Sequence, residues 1–440
     1  MNTADLSLEQ TPPFSVPARF FLTAPLFAVG AILLLLFMDN TVLSTRWHPV
    51  ILGVTHCITL GVMMMVMMGA LLQLLPILAG IRLPHPIWIS RVFHTGLTVG
   101  TLALSFAFIQ QSIFLFQSAF ILLSLTLGGF ILFIAYQLFF NVAVYSEITR
   151  GMQWGISALL ITILLGTALT YNIAFSNIIV MIEQVTNIHA MWGLVGWSSL
   201  LIIAVAYQVV PMFHITPHYP AVLTRFLVPS IFMAVMAWTT AVIMELSPFV
   251  IAVLSYLIVG LLLIFSFTTF YLHTKRLRKV KDLTLNFWRL GLAGIISSCL
   301  LWGSVQFYTL DKFELLLGSV FILLGILPII QGMLYKIIAF LIWLHLQQTK
   351  MRLAVLMFKT PNMKQVIQDK HARLQFLSYA LGSISFCLHL IYAHPVLYWL
   401  SMVCLISTFL GLFFILIQAV SVYNKTHQSI IDYAAQQSNN

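Results

Sequence analysis

The stretch of sequence that decides the fold is residues 50–79, VILGVTHCITLGVMMMVMMGALLQLLPILA. Its thirty residues include no Asp, Glu, Lys or Arg. A helix needs about 20 apolar residues to cross the hydrocarbon core of a bilayer. This stretch exceeds that length, so we expect a transmembrane helix that tilts or extends beyond the bilayer.

The rest of the chain has the same character. Of its 440 residues, 61% are hydrophobic and 7% are charged, whereas a soluble domain carries about 25% charged residues. We therefore predict an all-α polytopic membrane bundle of about twelve transmembrane helices, with the lipid bilayer as its main partner. The predicted spans are residues 18–37, 50–79, 90–109, 113–143, 153–172, 185–213, 221–243, 247–271, 287–307, 315–345, 374–393 and 396–421.

The distribution of charge predicts how these spans are oriented. The formal net charge is +10, and 18 of the 21 Lys and Arg residues fall in the tails and the loops after even-numbered spans, or beside them. Basic residues collect on the cytoplasmic side of membrane proteins. We therefore predict a bacterial-type inner membrane protein with both termini in the cytoplasm. The basic residues form no stripe interleaved with exposed aromatics, so we expect no nucleic acid partner.

The two ends of the chain are more polar than its middle. We predict a cytoplasmic tail at residues 1–16, a single twelve-helix membrane domain at residues 17–423, and a second cytoplasmic tail at residues 424–440. We expect both tails to be flexible.

A short pattern recurs in three of the predicted spans. The second contains GALLQLLPILAG with Gln73, the sixth contains VAYQVVPMFHI with Gln208, and the tenth contains GMLYKIIAFLIWLH with Lys336 in the place of the glutamines. The copies follow one another at intervals of 135 and 128 residues. Each interval holds four spans, so we predict three tandem four-helix units arranged with pseudo-threefold symmetry. The predicted units are residues 17–145, 150–275 and 285–423, approximately.

Two histidines occupy matching positions in the first two copies. His56 lies 17 residues before Gln73, and His189 lies 19 residues before Gln208. Histidine is the natural ligand for haem iron and copper. A polar side chain at membrane depth is costly and indicates function. We interpret both as candidate metal or haem ligands; the alternative is a pair of histidines that form hydrogen bonds between helices.

This arrangement resembles subunit I of the haem-copper oxidases, and more closely its stand-alone and NnrS-like relatives. The resemblance implies that His56 takes the place of an axial haem ligand in helix two and His189 that of a copper ligand in helix six. It makes haem b and copper the candidate cofactors and respiratory complex subunits the candidate partners.

The chain also departs from that family at three places. The string HAMWGLVGW after Ile188 lacks the family's proline and tyrosine, no HH pair occurs, and the only histidine of the tenth span is His345, at its cytoplasmic end. We therefore expect a protein of this type without the full oxygen-reducing centre.

Further side chains extend the metal hypothesis. Met64 and Met67 lie below His56 in the methionine-rich part of the second span, and thioether sulfur suits Cu(I). Methionines that only fill the core are the alternative. His214 and His218, in HITPHYP, have the spacing of a labile metal site, against the alternative of interfacial histidines.

Four polar residues in the spans complete the set of candidates. Lys336 replaces a glutamine in mid-span, so we expect it either to face the bundle interior, where Gln73 and Gln208 are candidate polar partners, or to snorkel toward the membrane surface. His94 is expected to face inward near Arg91.

The leading hypothesis is a haem- and/or copper-binding membrane protein that takes part in redox chemistry, nitric oxide handling or respiratory metal handling. The first alternative is a transporter of copper, haem or a small solute, and the second is a cofactor-free assembly or structural subunit. The sequence identifies no catalytic residue and favours no enzyme. If the chain is an enzyme, a haem-dependent oxidoreductase is the expected class.

Overall fold

The fold is a bundle of twelve long apolar helices. The computed structural model describes residues 11–38, 40–176, 178–278, 281–304 and 312–438. The helices are α1 (Ser15–Phe37), α2 (Pro49–Ala79), α3 (Pro86–Gln110), α4 (Ile113–Phe140), α5 (Glu147–Phe175), α6 (Ile182–His214), α7 (Ala221–Ile243), α8 (Pro248–Thr274), α9 (Leu283–Ser304), α10 (Phe313–Arg352), α11 (Asp369–Tyr392) and α12 (Pro395–Ser438). Each is long and apolar enough to cross a bilayer, so the prediction of a multi-pass all-α membrane protein is confirmed.

The C-terminal segment differs from its prediction as a flexible tail. Helix α12 continues to Ser438 without a break. The reason lies in packing: the Ile430 side chain is completely buried, and the Tyr433 ring contacts Phe358 with ring centroids 5.5 Å apart. The N-terminal tail can be compared only from residue 11, because residues 1–10 lie outside the described residues.

The first and last described segments of the chain lie at the same end of the bundle. We call this end the tail face and the opposite end the far face. The Nε2 atom of His345, near the end of α10, lies 2.9 Å from the Pro12 carbonyl oxygen. The Phe14 ring contacts Tyr423 of α12 at 4.6 Å between ring centroids. An even number of crossings produces this arrangement.

Nine helices form an outer ring around α2, α6 and α10. Within the ring, α3 packs against α4, α4 against α5, α7 against α8, α8 against α9, α11 against α12, and α12 closes against α1. Helices α1, α5 and α9 each pack against the inner helix that follows them in the chain. Most of α2 is therefore buried, as expected for a helix that is apolar on every side.

The three inner helices share an irregularity. Each contains a π-helical segment, at Thr59–Met64 in α2, Trp192–Ser199 in α6 and Val320–Ile326 in α10. In α6 the hydroxyl groups of Ser198 and Ser199 donate to carbonyl oxygens five residues earlier, which fits the wide turn. Such segments often occur at functional sites. Their recurrence supports the threefold division of the chain, which stays a prediction.

Candidate functional site

His56 lies on the far-face half of α2, three residues before its π segment begins at Thr59. Its Nδ1 atom donates to the Leu52 carbonyl oxygen at 2.8 Å. Its ring stacks on Phe108 of α3, with centroids 5.4 Å apart and planes 20° apart. Since a carbonyl oxygen only accepts, the proton of the neutral ring is on Nδ1, and Nε2 presents a lone pair.

His189 has the same relation to α6, three residues before the π segment that begins at Trp192. Its Nδ1 atom donates to the Thr162 carbonyl oxygen of α5 at 3.0 Å. Gly166, one turn further along α5, leaves room for the ring, because a Cβ there would lie 2.9 Å from His189 Cε1. The Nε2 atom of this ring therefore also presents a lone pair. Metal-binding histidines commonly hold their other nitrogen in this way.

Both imidazoles line one cavity of about 240 Å³ between α2, α4, α5 and α6. Neither Nε2 has a hydrogen-bond partner among the residues that the structure describes. The other polar lining consists mainly of hydroxyl groups. These belong to Thr55, Thr59, Ser124, Thr162, Thr167, Thr170, Thr186 and Ser198.

Methionine supplies the sulfur near this cavity. Met63 and Met64 of α2 line the cavity together with the two histidines. Met67 lies instead at a separate small cavity with Met333 of α10. Within the described ranges, no three His, Cys, Asp or Glu side chains converge on a metal position. A metal at this place would therefore take two imidazoles and thioether sulfur, a soft set that suits Cu(I).

A hydrogen bond and an ion pair of Arg46 lie at the far-face end of the cavity. Arg46, which also lines the cavity, donates from Nη2 to Asn187 Oδ1 at 2.7 Å. Its Nε atom forms an ion pair with the Glu314 carboxylate at 2.7 Å. Because Asn187 is in α6 and Glu314 begins α10, Arg46 ties the segment before α2 to both other inner helices. The sequence reasoning did not identify this contact.

The two histidines of HITPHYP have different environments. His218 is exposed in the loop after α6. His214 is buried at the end of α6, and its ring lies 5.0 Å from that of His273 in α8. Trp288 of α9 lies about equally near both rings, at 6.1 and 6.0 Å. The structure therefore pairs His214 with His273, a residue to which the sequence assigned no role.

Lys336 has a carboxylate partner that was not anticipated. Its Nζ atom lies 2.7 Å from Asp282 Oδ2, just before α9. Thr284 donates its hydroxyl to Asp282 Oδ1 at 2.8 Å. Burial by itself raises the pKa of the Asp282 carboxyl, but Lys336 and the hydrogen bonds outweigh it, so the pKa is lowered. Thr284 also lies within 3.3 Å of His214 Nε2, which links the ion pair to the buried ring cluster.

Replacing Asp282 with Asn is expected to destabilise the protein by about 2 kcal/mol at pH 7, since it leaves the Lys336 ammonium half of a broken pair. The pair contributes fully above the ordinary carboxyl pKa of 3.8, and its contribution is lost as pH falls through the lower folded value. The free energy of unfolding in mixed micelles, measured at pH 7 and at about pH 3, tests both the loss of stability and its dependence on pH. Asp432→Asn is the control, because Asp432 is exposed and forms no ion pair with another described residue. Equal stability of the Asp282 and Asp432 variants at pH 7 would contradict the prediction.

The remaining candidates lie apart from the histidine cavity. His94 is joined to Thr23 of α1 by a hydrogen bond of 2.8 Å. Gln73 is completely buried in α2, and neither atom of its amide has a hydrogen-bond partner among the described residues. Gln208 is half-buried in α6. None of the three lines the cavity of His56 and His189.

No family model matches the chain, and no curated protein matches it. The resemblance to haem-copper oxidase subunit I therefore rests on the repeated pattern, the number of spans and the two histidines.

Proposed function

We propose that the chain is a copper-binding membrane protein of the haem-copper oxidase subunit I type that lacks the full oxygen-reducing centre. The copper would be held by His56 and His189, with sulfur from Met63 or Met64. Its role would be in redox chemistry, nitric oxide handling or respiratory metal handling, with the tail face in the cytoplasm as the basic loops predict.

The observation that carries the proposal is the pair of unpartnered Nε2 atoms on one cavity wall. Each ring is held by a hydrogen bond from Nδ1 to a backbone carbonyl. Both rings are half-buried and border the cavity, so both Nε2 lone pairs are open to a ligand that enters it. The alternative of histidines that only join helices does not account for the free nitrogens.

The size of the cavity favours copper over haem. Sites for drug-sized ligands have volumes of about 300–1,000 Å³, and haem is larger than most such ligands. The cavity of about 240 Å³ is closer in size to a metal ion with a small ligand than to haem, which supports copper. Bound copper would supply a one-electron centre or a site for a small diatomic ligand.

Copper analysis of the purified full-length protein, together with its absorption spectrum, tests the proposal. We expect about one copper per chain after loading with Cu(I), and no Soret band. A Soret band would replace copper with haem as the cofactor. A protein that takes up neither group would favour the cofactor-free assembly alternative.

A series of cavities supports transport as the second candidate function. Below the histidine cavity, α2 and α6 line a cavity of about 70 Å³ that contains Met67, and then one of about 20 Å³ that ends at Phe213. Phe213 also lines a wide cavity at the tail face. Cavities this small suit a bare metal ion rather than haem or an organic solute.

Copper uptake into proteoliposomes distinguishes transport from binding alone. A transporter is expected to show protein-dependent uptake that falls when Met67 is replaced with Leu, because the soft ligand between the two larger cavities is lost. Met402→Leu removes a buried methionine of α12 as the control. Copper binding without uptake would contradict the transport function.

A further inference from the structure

A second large cavity opens at the tail face between α6, α9, α10 and α11. Its volume is about 530 Å³, within the range of about 300–1,000 Å³ that small organic ligands occupy. It shares no lining residue with the cavity of His56 and His189. We call it the tail pocket. Part of its wall is apolar, formed by Met212, Phe213, Ile215, Leu283, Ala339, Met363 and Ile367.

The rest of the wall carries an excess of positive charge. The basic lining residues are Arg276, Arg278, Lys281, Lys336 and Lys364, and the acidic ones are Asp282 and Asp369. Lys336 and Asp282 neutralise one another. Of the others, Arg278, Lys281 and Lys364 outnumber the one remaining carboxylate, Asp369, so the pocket carries an excess of positive charge. A concave surface with one sign of charge attracts the opposite ion.

The basic side chains are carried by backbone segments that are held in place. The Leu277 N–H donates to the Ile215 carbonyl oxygen at 2.8 Å, which fixes the loop between Arg276 and Arg278 against the end of α6. On the opposite wall, Asn362 Oδ1 accepts from the Lys364 N–H at 3.0 Å and caps the short helix Met363–Val366. The charges therefore converge on one pocket from two anchored segments.

The Tyr335 hydroxyl in the same wall has no hydrogen-bond partner within the described part of the chain. Its side chain is 3% exposed and lines the tail pocket. A topology signal explains basic loops, but it does not explain a buried hydroxyl without a partner. A phosphate oxygen could accept from the Tyr335 hydroxyl.

We propose that the tail pocket binds an organic phosphate. Its phosphate group lies among Arg278, Lys281 and Lys364, and its less polar part lies against the apolar wall near Phe213. A phospholipid headgroup and a soluble organic phosphate share this chemistry. The proposal goes beyond the proposed metal function and does not depend on it, because no residue is shared between the two cavities.

Native mass spectrometry of the full-length protein in detergent tests the site with two probes, phosphatidylglycerol and ATP. We expect the wild-type protein to bind one of them. The triple variant Arg278→Gln, Lys281→Gln and Lys364→Gln is expected to lose at least about tenfold in affinity, since charge-assisted hydrogen bonds to phosphate are strong. The control is Arg82→Gln, Lys359→Gln and Lys425→Gln, three exposed basic residues outside the pocket.

The two probes identify the source of the ligand. Phosphatidylglycerol binding that only the pocket variant loses identifies a lipid headgroup, and ATP binding lost in the same way identifies a soluble ligand. Replacing Tyr335 with Phe is expected to weaken the bound probe by about fivefold, the effect of one hydrogen bond. Binding of neither probe by the wild-type protein, or equal losses in both triple variants, would overturn the proposal.

Discussion

Replacing either His56 or His189 with Gln is expected to lower the affinity for Cu(I) by at least about tenfold, and replacing both is expected to abolish binding. Glutamine keeps a polar side chain of similar length, but its amide nitrogen offers no lone pair to a metal. Each ring contributes one free Nε2, so neither histidine alone can hold the ion against water. Competition with a Cu(I) chelator measures the loss.

His94→Gln is the matched control for these variants. His94 is also a histidine within a transmembrane helix, but its Nε2 atom is joined to Thr23 and lies away from the cavity. We expect its copper affinity to equal that of the wild-type protein. Copper binding that survives in the double variant, or that falls equally in His94→Gln, would contradict the assignment of the ligands.

Replacing Gly294 with Ala is expected to have the largest effect on stability, a loss of about 3 kcal/mol or more. A Cβ at Gly294 of α9 would lie 2.1 Å from both the carbonyl carbon and the oxygen of Leu324. That carbonyl belongs to the π segment of α10, and Pro328 four residues later has no N–H to offer it. The obstacle is backbone, so no side chain can move aside, and the close packing of α9 against α10 would be lost.

Gly303→Ala provides the control in the same helix, because a Cβ there would meet no atom of the described residues within 4 Å. Alanine is the better helix former by up to about 1 kcal/mol, so this variant should be as stable as the wild-type protein or slightly more so. Unfolding by detergent titration and the yield of monodisperse protein measure both variants. A Gly294→Ala protein as stable as Gly303→Ala would show that α9 and α10 lie farther apart than described.

The spans could be predicted from sequence because hydropathy and length alone determine which segments cross a bilayer. Each of the twelve predicted spans corresponds to one helix, with different bounds at several ends; residues 305–307 of the predicted ninth span lie outside the described residues. The common position of His56 and His189 on one cavity also follows a sequence signal, since both precede the repeated Q-x-x-P pattern by nearly the same distance. Equivalent residues of such a repeat would lie at the same depth in neighbouring inner helices.

Contacts between residues of different helices could not be predicted from a comparable pattern in the sequence. Asp282 follows a run of basic residues, and its partner Lys336 is 54 positions away, so their pairing depends on how α9 packs against α10. The predicted eighth span ends at residue 271, before His273, whereas α8 continues to Thr274 and buries the His273 ring against His214.

The methionine run shows why regular helical spacing did not predict which methionines line the cavity of His56. With 3.6 residues per turn, Met64 and Met67 share a face. The π segment at Thr59–Met64 widens one turn and rotates the residues after it. Met64 therefore reaches the cavity of His56, while Met67 faces the separate small cavity. The sequence before Thr59 contains no glycine or proline pattern that predicts a π segment.

The X-ray absorption spectrum of the copper-loaded protein at the copper edge tests the central claim most directly, because it identifies the atoms bound to the metal. We predict two imidazole nitrogens and one thioether sulfur, with one imidazole lost in His56→Gln or in His189→Gln, and the sulfur lost when Met63 and Met64 are both replaced with Leu. A first shell of oxygen atoms without imidazole, or a spectrum that these substitutions leave unchanged, would contradict the proposed site.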